Sequence, residues 1–459
     1  MPTFDLLLKD GKIFDGERLN SASMGIKDGK IVFIGDPMGL HGQREIDLCG
    51  AWVLPGGIET HTHIREPELT PRSDFQSESV AAAAGGITTF FEMPISAPPQ
   101  WNTSILRRRA ELAEKKSCVD FGFYGAAGGG AQNVAELARA GVVGFKVFLF
   151  GVTGPRAGEF EKATATDDAA LMDVMEHVAA TGKILAVHAE NGSLAAHFTR
   201  RVMESGGARD LYAHGAARPA LCETEAVMRL LRIARTTGTR LSFCHISSRA
   251  ALEEILKARR DGQEVYIESC PQYLWLNEDT AVQWGPYAKY NPPIRTEDDR
   301  RALFEQAQRG NIDYIGSDHG AFRLDEKLPG ENDIFKAPAG SVGFETRLPL
   351  MVTSVLNGEL TLKQAVRLMT TRAAEVFRLL PRKGALRIGA DADIAVVDPN
   401  ARVVPSPDAS LSRGKEVARL YEGWQLRGKV LHTLVRGEFV WHDGAPVPNM
   451  AGWGKNICS

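Results

Sequence analysis

Hydrophobic positions along the 459 residues fall into three textures. From residue 5 to 54, the short runs Leu6-Leu7-Leu8, Lys12-Ile13-Phe14, Ser23-Met24-Gly25-Ile26 and Ile31-Val32-Phe33-Ile34 are separated by Lys9-Asp10-Gly11, Asp15-Gly16 and Lys27-Asp28-Gly29. Asp-Gly steps between strand-like runs favour hairpins because glycine tolerates positive φ. This stretch predicts a small β module. The same texture returns at 393–398, 430–435 and 438–442, with Arg436-Gly437 between the last two runs. Between these flanks, strand-like runs at 53–63, 88–93, 120–124, 143–149, 184–188, 241–245, 265–269 and 313–318 alternate with amphipathic stretches such as 103–116, 168–181, 223–236 and 249–260. Each β run is followed by a helical or loop segment, a pattern that predicts an α/β chain with a (β/α)8 barrel. The competing arrangement is a doubly wound open sheet.

The two β-rich flanks predict one discontinuous β-sandwich assembled from both ends, residues 1–54 and 385–459, around a barrel at 55–384. The first barrel run is not followed by Gly-x-Gly-x-x-Gly, so a dinucleotide site is not supported. The glycine-rich 125–130 stretch follows the third run and predicts a flexible loop at the mouth of the site.

Composition narrows the class. With 44% hydrophobic residues, 24% charged residues and a formal net charge of -3, the chain reads as an ordinary globular protein and not as a nucleic-acid binder. Arg107-Arg108-Arg109 is followed by Glu111 and Glu114 on the same helical pattern, which predicts a solvated helix face. The six cysteines are scattered, with no CxxC pair, which suits reduced thiols in the cytoplasm. Cys244 precedes His245 in a strand-like run. Neighbours on a strand face opposite ways, so Cys244 is expected as an apolar filler. The first residues lack the pattern of a secretory signal and no apolar run has the length of a membrane span, so a cytoplasmic location is expected.

Candidate chemistry lies where the strand-like runs end, the face on which barrel enzymes carry their sites. His61 and His63 are two apart, so on a strand both imidazoles face one way while Thr62 faces the other. The fourth run carries Lys146, the fifth ends in His188, the sixth in His245 and the eighth in Asp318. Any one of these histidines alone would read as a satisfied core residue. Their joint placement at strand ends points to a metal site. Lys146, inside Val142-Val143-Gly144-Phe145-Lys146-Val147-Phe148-Leu149-Phe150, has to be deprotonated, paired or modified, because a buried unpaired ammonium is costly. Three outcomes stay open there: a pair with an acidic residue, a neutral amine, or a carbamate formed with carbon dioxide.

His61-x-His63, Lys146, His188, His245 and Asp318 resemble the binuclear-metal pattern of the amidohydrolase superfamily, in its cyclic-amidase branch of hydantoinases, dihydropyrimidinases, allantoinases and dihydroorotases. Val53-Leu54-Pro55-Gly56-Gly57, Asn291-Pro292-Pro293-Ile294-Arg295, Gly316-Ser317-Asp318-His319 and Gly389 to Ile394 resemble further landmarks of that branch, so the likeness covers nearly the whole chain. Glu92-Met93-Pro94-Ile95, Pro271-Gln272-Tyr273-Leu274 and Gly343 to Pro349 are most similar to hydantoinases acting on L-substituted rings. The resemblance implies two divalent cations, zinc by preference. His61, His63, N-carboxylated Lys146 and Asp318 would hold one, and Lys146, His188 and His245 the other. It further implies a hydroxide bridging the metals as nucleophile, Asp318 as the catalytic proton carrier, and a small cyclic amide as substrate. Arg65, Asn291 and Phe322 would contact that substrate. It also implies a homotetramer or homodimer and no nucleic-acid or membrane partner.

Departures from the pattern refine the expectation. Dihydroorotases carry Met-Pro-Asn-Thr and Asp-His-Ala-Pro-His where this chain has Met93-Pro94-Ile95-Ser96 and Asp318-His319-Gly320-Ala321-Phe322. Ile95 and Phe322 are expected to make the pocket apolar and to favour a neutral ring with a hydrophobic substituent. Arg65 does match the dihydroorotase pattern, or else pairs with Glu66 or Glu68. D-hydantoinases place a tyrosine about five residues after the lysine, where this chain has Gly151. Three functional readings follow: a hydantoinase- or allantoinase-type cyclic amidase, a dihydroorotase, and a non-catalytic scaffold of dihydropyrimidinase-like fold.

Overall fold

The computed structural model describes residues 4–152 and 154–458. Parallel strands Gly57–His63, Ile87–Glu92, Asp120–Ala126, Gly144–Phe148, Ile184–His188, Arg240–Phe243 and Val265–Ser269 pair in chain order. The eighth strand is broken in two. Tyr314–Ile315 pairs with the seventh strand, and His319–Gly320 pairs with the first, so the sheet closes on itself. Between the two pieces Asp318 adopts φ +52°. The fully buried Arg347 spans the seam, donating from Nη1 to the carbonyls of Ile58 at 3.2 Å and Ile315 at 2.9 Å. This is the expected (β/α)8 barrel.

Several outer helices begin where short polar side chains satisfy their first amides. Asn102 caps Thr103–Lys116, Asp167 caps Asp168–Ala179 and Ser248 caps Arg249–Arg260. The interior is dominated by β-branched, leucine and phenylalanine side chains, among them Phe90, Phe121, Val147, Leu185, Leu241 and Ile267.

A second sheet carries strands from both chain ends. Ile394–Val403 pairs antiparallel with Trp52–Pro55 on one side and Leu426–Val435 on the other, and Trp52–Pro55 lies beside Phe4–Phe14. Leu6, Leu8, Met24, Val53, Ile394, Val396 and Leu434 pack into its own core. Lys383 joins the two units, pairing with Asp120 at 2.6 Å and Asp393 at 2.5 Å.

Three local expectations are corrected. Lys9-Asp10-Gly11 is no hairpin turn: Phe4–Phe14 runs through it as one strand, with the register slipping between Leu8 and Gly11 and Asp10 at φ +53°. A single extra residue is absorbed as a bulge while both halves keep pairing. The run 53–63 is two strands, because Gly56 leaves the sandwich and Gly57 starts the barrel. Arg109 is not solvated. It is fully buried, pairing with Glu92 at 2.7 Å and donating to the carbonyls of Ile64 (3.0 Å) and Glu66. The neighbouring arginine Arg108 does face solvent, reaching Glu68 at 3.2 Å.

Candidate active site

The first strand presents His61 and His63 on one face, as alternation requires. His61 Nδ1 lies 2.6 Å from Glu268 Oε1 on the seventh strand, leaving Nε2 turned toward Asp318 Oδ1 at 3.4 Å. Thr60 Oγ1 donates to the other Glu268 oxygen at 2.9 Å. His63 Nε2 is 3.1 Å from the same Asp318 Oδ1. His188 closes the fifth strand, its Nε2 at 2.7 Å from Glu190 Oε2, and Arg218 fixes Glu190 at 2.9 Å. His245 stands with its ring 4.6 Å from that of His188 and 5.3 Å from that of His61.

Backbone breaks aim two of these groups. The sixth strand ends at Phe243, and His245 adopts φ +41°. The alternation argument for Cys244 therefore fails. Cys244 is buried as expected, but its Sγ accepts from Lys146 Nζ at 3.0 Å and, with His61 and Glu268, forms a close cluster of possible ligands. Residues other than glycine with positive φ are uncommon and cluster at functional sites, where surrounding structure holds them.

Lys146 is fully buried in the fourth strand. Among the described residues no carboxylate lies within 4.0 Å of its amine. A direct ion pair, one of the three outcomes open at the sequence level, is not what holds it.

The donor set fits a cation. One atom each from His61, His63 and Asp318 lie within 4.8 Å of one another. Burial pushes His61 down, but the Glu268 and Asp318 charges outweigh it and raise the imidazole to about 10, so positive charge belongs at this position. Burial holds His63 down to about 3, and burial with the neighbouring His188 holds His245 well below its usual range. Neutral imidazoles are the form that ligates. The buried Nδ1 atoms of His63 and His245 have no hydrogen-bond partner among the described residues.

Above these groups is a cavity of about 80 Å³ whose walls include His61, His63, His188, His245, Asp318, Arg65 and Asn291. Asn291 Oδ1 is buried there and unpartnered among the described residues. Ile95, Phe148, Phe150 and Phe160 form an apolar wall, with phenyl centroids 5.2 to 6.1 Å apart and Phe150 4.9 Å from the His188 ring. Phe322 does not reach the cavity. It stands behind Arg65, with the guanidinium carbons of Arg65, Arg72 and Arg156 at 5.3, 5.3 and 5.4 Å from its ring centroid. Arg65 pairs with neither Glu66 nor Glu68. Its Nη1 donates to Ile95 O at 2.9 Å and to Glu159 at 3.4 Å. Among the described residues, only Thr166 lies near the position a side chain at Gly151 would take. The 125–130 stretch is built into the fold: Gly125 and Ala126 end the third strand, and Gly128 N donates to Lys162 O at 2.6 Å.

Glu268, Glu190, Arg156, Phe150 and Phe160 went unnoticed in the sequence. Glu268 did carry a signal, a charge inside the apolar run 265–269 of the same kind that singled out Lys146. Arg156 and Phe160 lie in the short 3-10 helix Gly154–Phe160, whose glycine-rich sequence carries no periodic pattern.

Residues 52–440 match the model of the amidohydrolase family. The chain belongs to the amidohydrolase family. It is 35% identical over 447 residues to an L-hydantoinase of Paenarthrobacter aurescens, covering 96% of this chain and 95% of that one. An allantoinase of Bacillus velezensis is 33% identical over 443 residues, covering 96% and 95%. Among solved structures, an L-hydantoinase (dihydropyrimidinase) from Arthrobacter aurescens superposes with a TM-score of 0.93 at 33% identity over 100% of both chains. A D-hydantoinase superposes at 0.90 with 29% identity, covering 99% of this chain and 98% of that one. In this amidohydrolase, no helix among the described residues is long and apolar enough to cross a membrane.

Proposed function

We propose that this amidohydrolase opens the ring amide of a cyclic ureide of the hydantoin type carrying an aromatic or other large apolar substituent. The observation that carries the choice of substrate is the wall of Ile95, Phe148, Phe150 and Phe160 facing the histidine–aspartate cluster. A hydrophobic substituent removed from water there gains about 25 cal/mol per Å² of apolar surface. Curated relatives named for hydantoins and allantoin support the reaction class.

His61, His63, Asp318 and Lys146 would hold one divalent ion, and Lys146, His188 and His245 a second, with Lys146 carrying carbon dioxide as a carbamate. The absence of a carboxylate beside the Lys146 amine supports that modification, because a carbamate gives this buried group oxygen donors where an ammonium has none. Zinc suits the histidine and oxygen donors. Bound metal supplies an activated water at neutral pH and polarises the carbonyl under attack. Asp318 takes the proton from the attacking water and returns it to the ring nitrogen as the C–N bond breaks, because an amide nitrogen leaves poorly unprotonated. Asn291, with its free buried carbonyl, orients a ring N–H. Arg65 is tied to Ile95 O and Glu159 and shapes the wall. The product is an N-carbamoyl amino acid. The enzyme is proposed to work in the cytoplasm as a homo-oligomer.

The test is a ring-opening panel of hydantoin, 5-substituted hydantoins of each hand, allantoin, dihydrouracil and dihydroorotate. A 5-arylmethyl hydantoin is expected to give the highest kcat/KM. Dihydroorotate as the best substrate overturns the reading. Intact-mass measurement under native conditions is expected to show Lys146 heavier by one carbon dioxide, and Lys146→Ala is expected to lose both metal and activity.

A further inference from the structure

Far from the barrel mouth, the sandwich sheet ends in a hairpin of Leu426–Val435 and Glu438–His442. The turn after the second strand holds Asp443 at φ +51° and Gly444 at φ +75°, a tight reversal that folds Asp443 back over two imidazoles. His432 Nδ1 and His442 Nδ1 stand 3.1 Å apart, with the rings stacked 4.7 Å centroid to centroid. Asp443 Oδ1 is 3.7 Å from His432 Nδ1, and Oδ2 is 3.4 Å from His442 Nε2. None of the three residues lines the cavity above the proposed catalytic metals.

The hydrogen bonding of this cluster is over-subscribed. His432 Nδ1 already accepts the backbone N–H of Asp443 at 3.2 Å, and a neutral imidazole nitrogen offers one lone pair. His442 Nδ1 must therefore share that lone pair as a second donor or direct its own lone pair at it. A cation between the two Nδ1 atoms lets both direct a lone pair at one partner, displacing the Asp443 N–H from His432 Nδ1. Two nitrogens held at about 2.0–2.1 Å on a tetrahedral ion stand about 3.3–3.4 Å apart, so the observed 3.1 Å has to open slightly to admit one. Asp443 supplies a third donor and negative charge. His432, with 6% side-chain exposure, is a fixed anchor, while Asp443 at 77% leaves room for water to complete the shell. The Lys429 ammonium beside Gly444 lowers the affinity below what three donors alone would provide.

We propose that His432, His442 and Asp443 form a separate site for a divalent transition-metal ion, one that ties the C-terminal hairpin to its turn. Imidazole and carboxylate donors select zinc, copper or nickel over calcium and magnesium. Metal content per chain, measured after dialysis of the full-length enzyme against buffered micromolar Zn2+, is the primary test. Wild type is expected to hold one equivalent more than His442→Ala, with Asp443→Asn binding about tenfold more weakly. Added Cu2+ is expected to give an electron paramagnetic resonance signal with couplings from two nitrogens, reduced to one in His442→Ala. The variants change a half-buried histidine and an exposed aspartate, and both are expected to keep wild-type ring-opening rates, which shows that the barrel is intact. Equal metal content in wild type and both variants across the zinc titration overturns the proposal.

Discussion

Glu268 Oε1 lies 2.6 Å from Nδ1 of His61 and 3.3 Å from the backbone nitrogen of His245, so one buried carboxylate orients a group on the first strand and another just past the sixth. It fixes which nitrogen of His61 faces Asp318. Outer partners of this kind hold a ligand's tautomer and ring orientation, and their loss lowers metal affinity about 10–100-fold. Glu268→Gln is therefore expected to fold and to lose metal at chelator concentrations the parent tolerates, read as metal per chain after dialysis.

Arg109 and Glu92 form a buried pair behind the His63 strand end. Burial raises Glu92 to about 7 against the pull of Arg109. Arg109→Met strands that carboxyl and frees the Ile64 and Glu66 carbonyls. A destabilisation of about 3–5 kcal/mol is expected in denaturant unfolding. The double variant with Glu92→Gln is expected to recover part of it, because no charge is then left unpaired.

Glu159 carries a pH prediction. Burial pushes its carboxyl up, but Arg156, Arg65 and Arg72 outweigh burial and hold it at about 2, below the ordinary 4.5. A depressed folded value means that the stabilisation is fully present above the unfolded pKa, near 4.5, and is lost as pH falls toward 2. Stability measured between pH 5 and 2 is expected to fall less steeply in Glu159→Gln, with the variant less stable than wild type at pH 7.

The apolar wall sets selectivity between substituents. Phe150→Ala is expected to cut the kcat/KM ratio of arylmethyl hydantoin to unsubstituted hydantoin by about tenfold or more, the scale of lost apolar contacts in a pocket. An unchanged ratio would place the substituent elsewhere.

The sequence by itself determined the repeating architecture and the chemistry of the strand ends. Strand and helix periods are local properties, so six of the eight barrel runs and the capped helices Thr103–Lys116 and Arg249–Arg260 were legible with correct bounds or nearly so, while 53–63 divides into two strands and the eighth strand is broken at Asp318. The pairing of His61 with His63 on one face follows from the two-residue period alone. Only the tertiary structure decided what depends on long-range approach. The breaks at His245 and Asp318 bend the backbone to positive φ and aim both side chains inward. Glu268 meets His61 across 207 positions of sequence. Arg109 is drawn from a polar helix pattern into the core by two carbonyls and Glu92. Phe322, expected at the substrate, instead backs Arg65, and the wall is built by Phe150, just past the fourth strand, and Phe160, at the end of a short 3-10 helix. Periodicity states which way a side chain faces on its own element; which distant group it meets depends on how the elements close around one another.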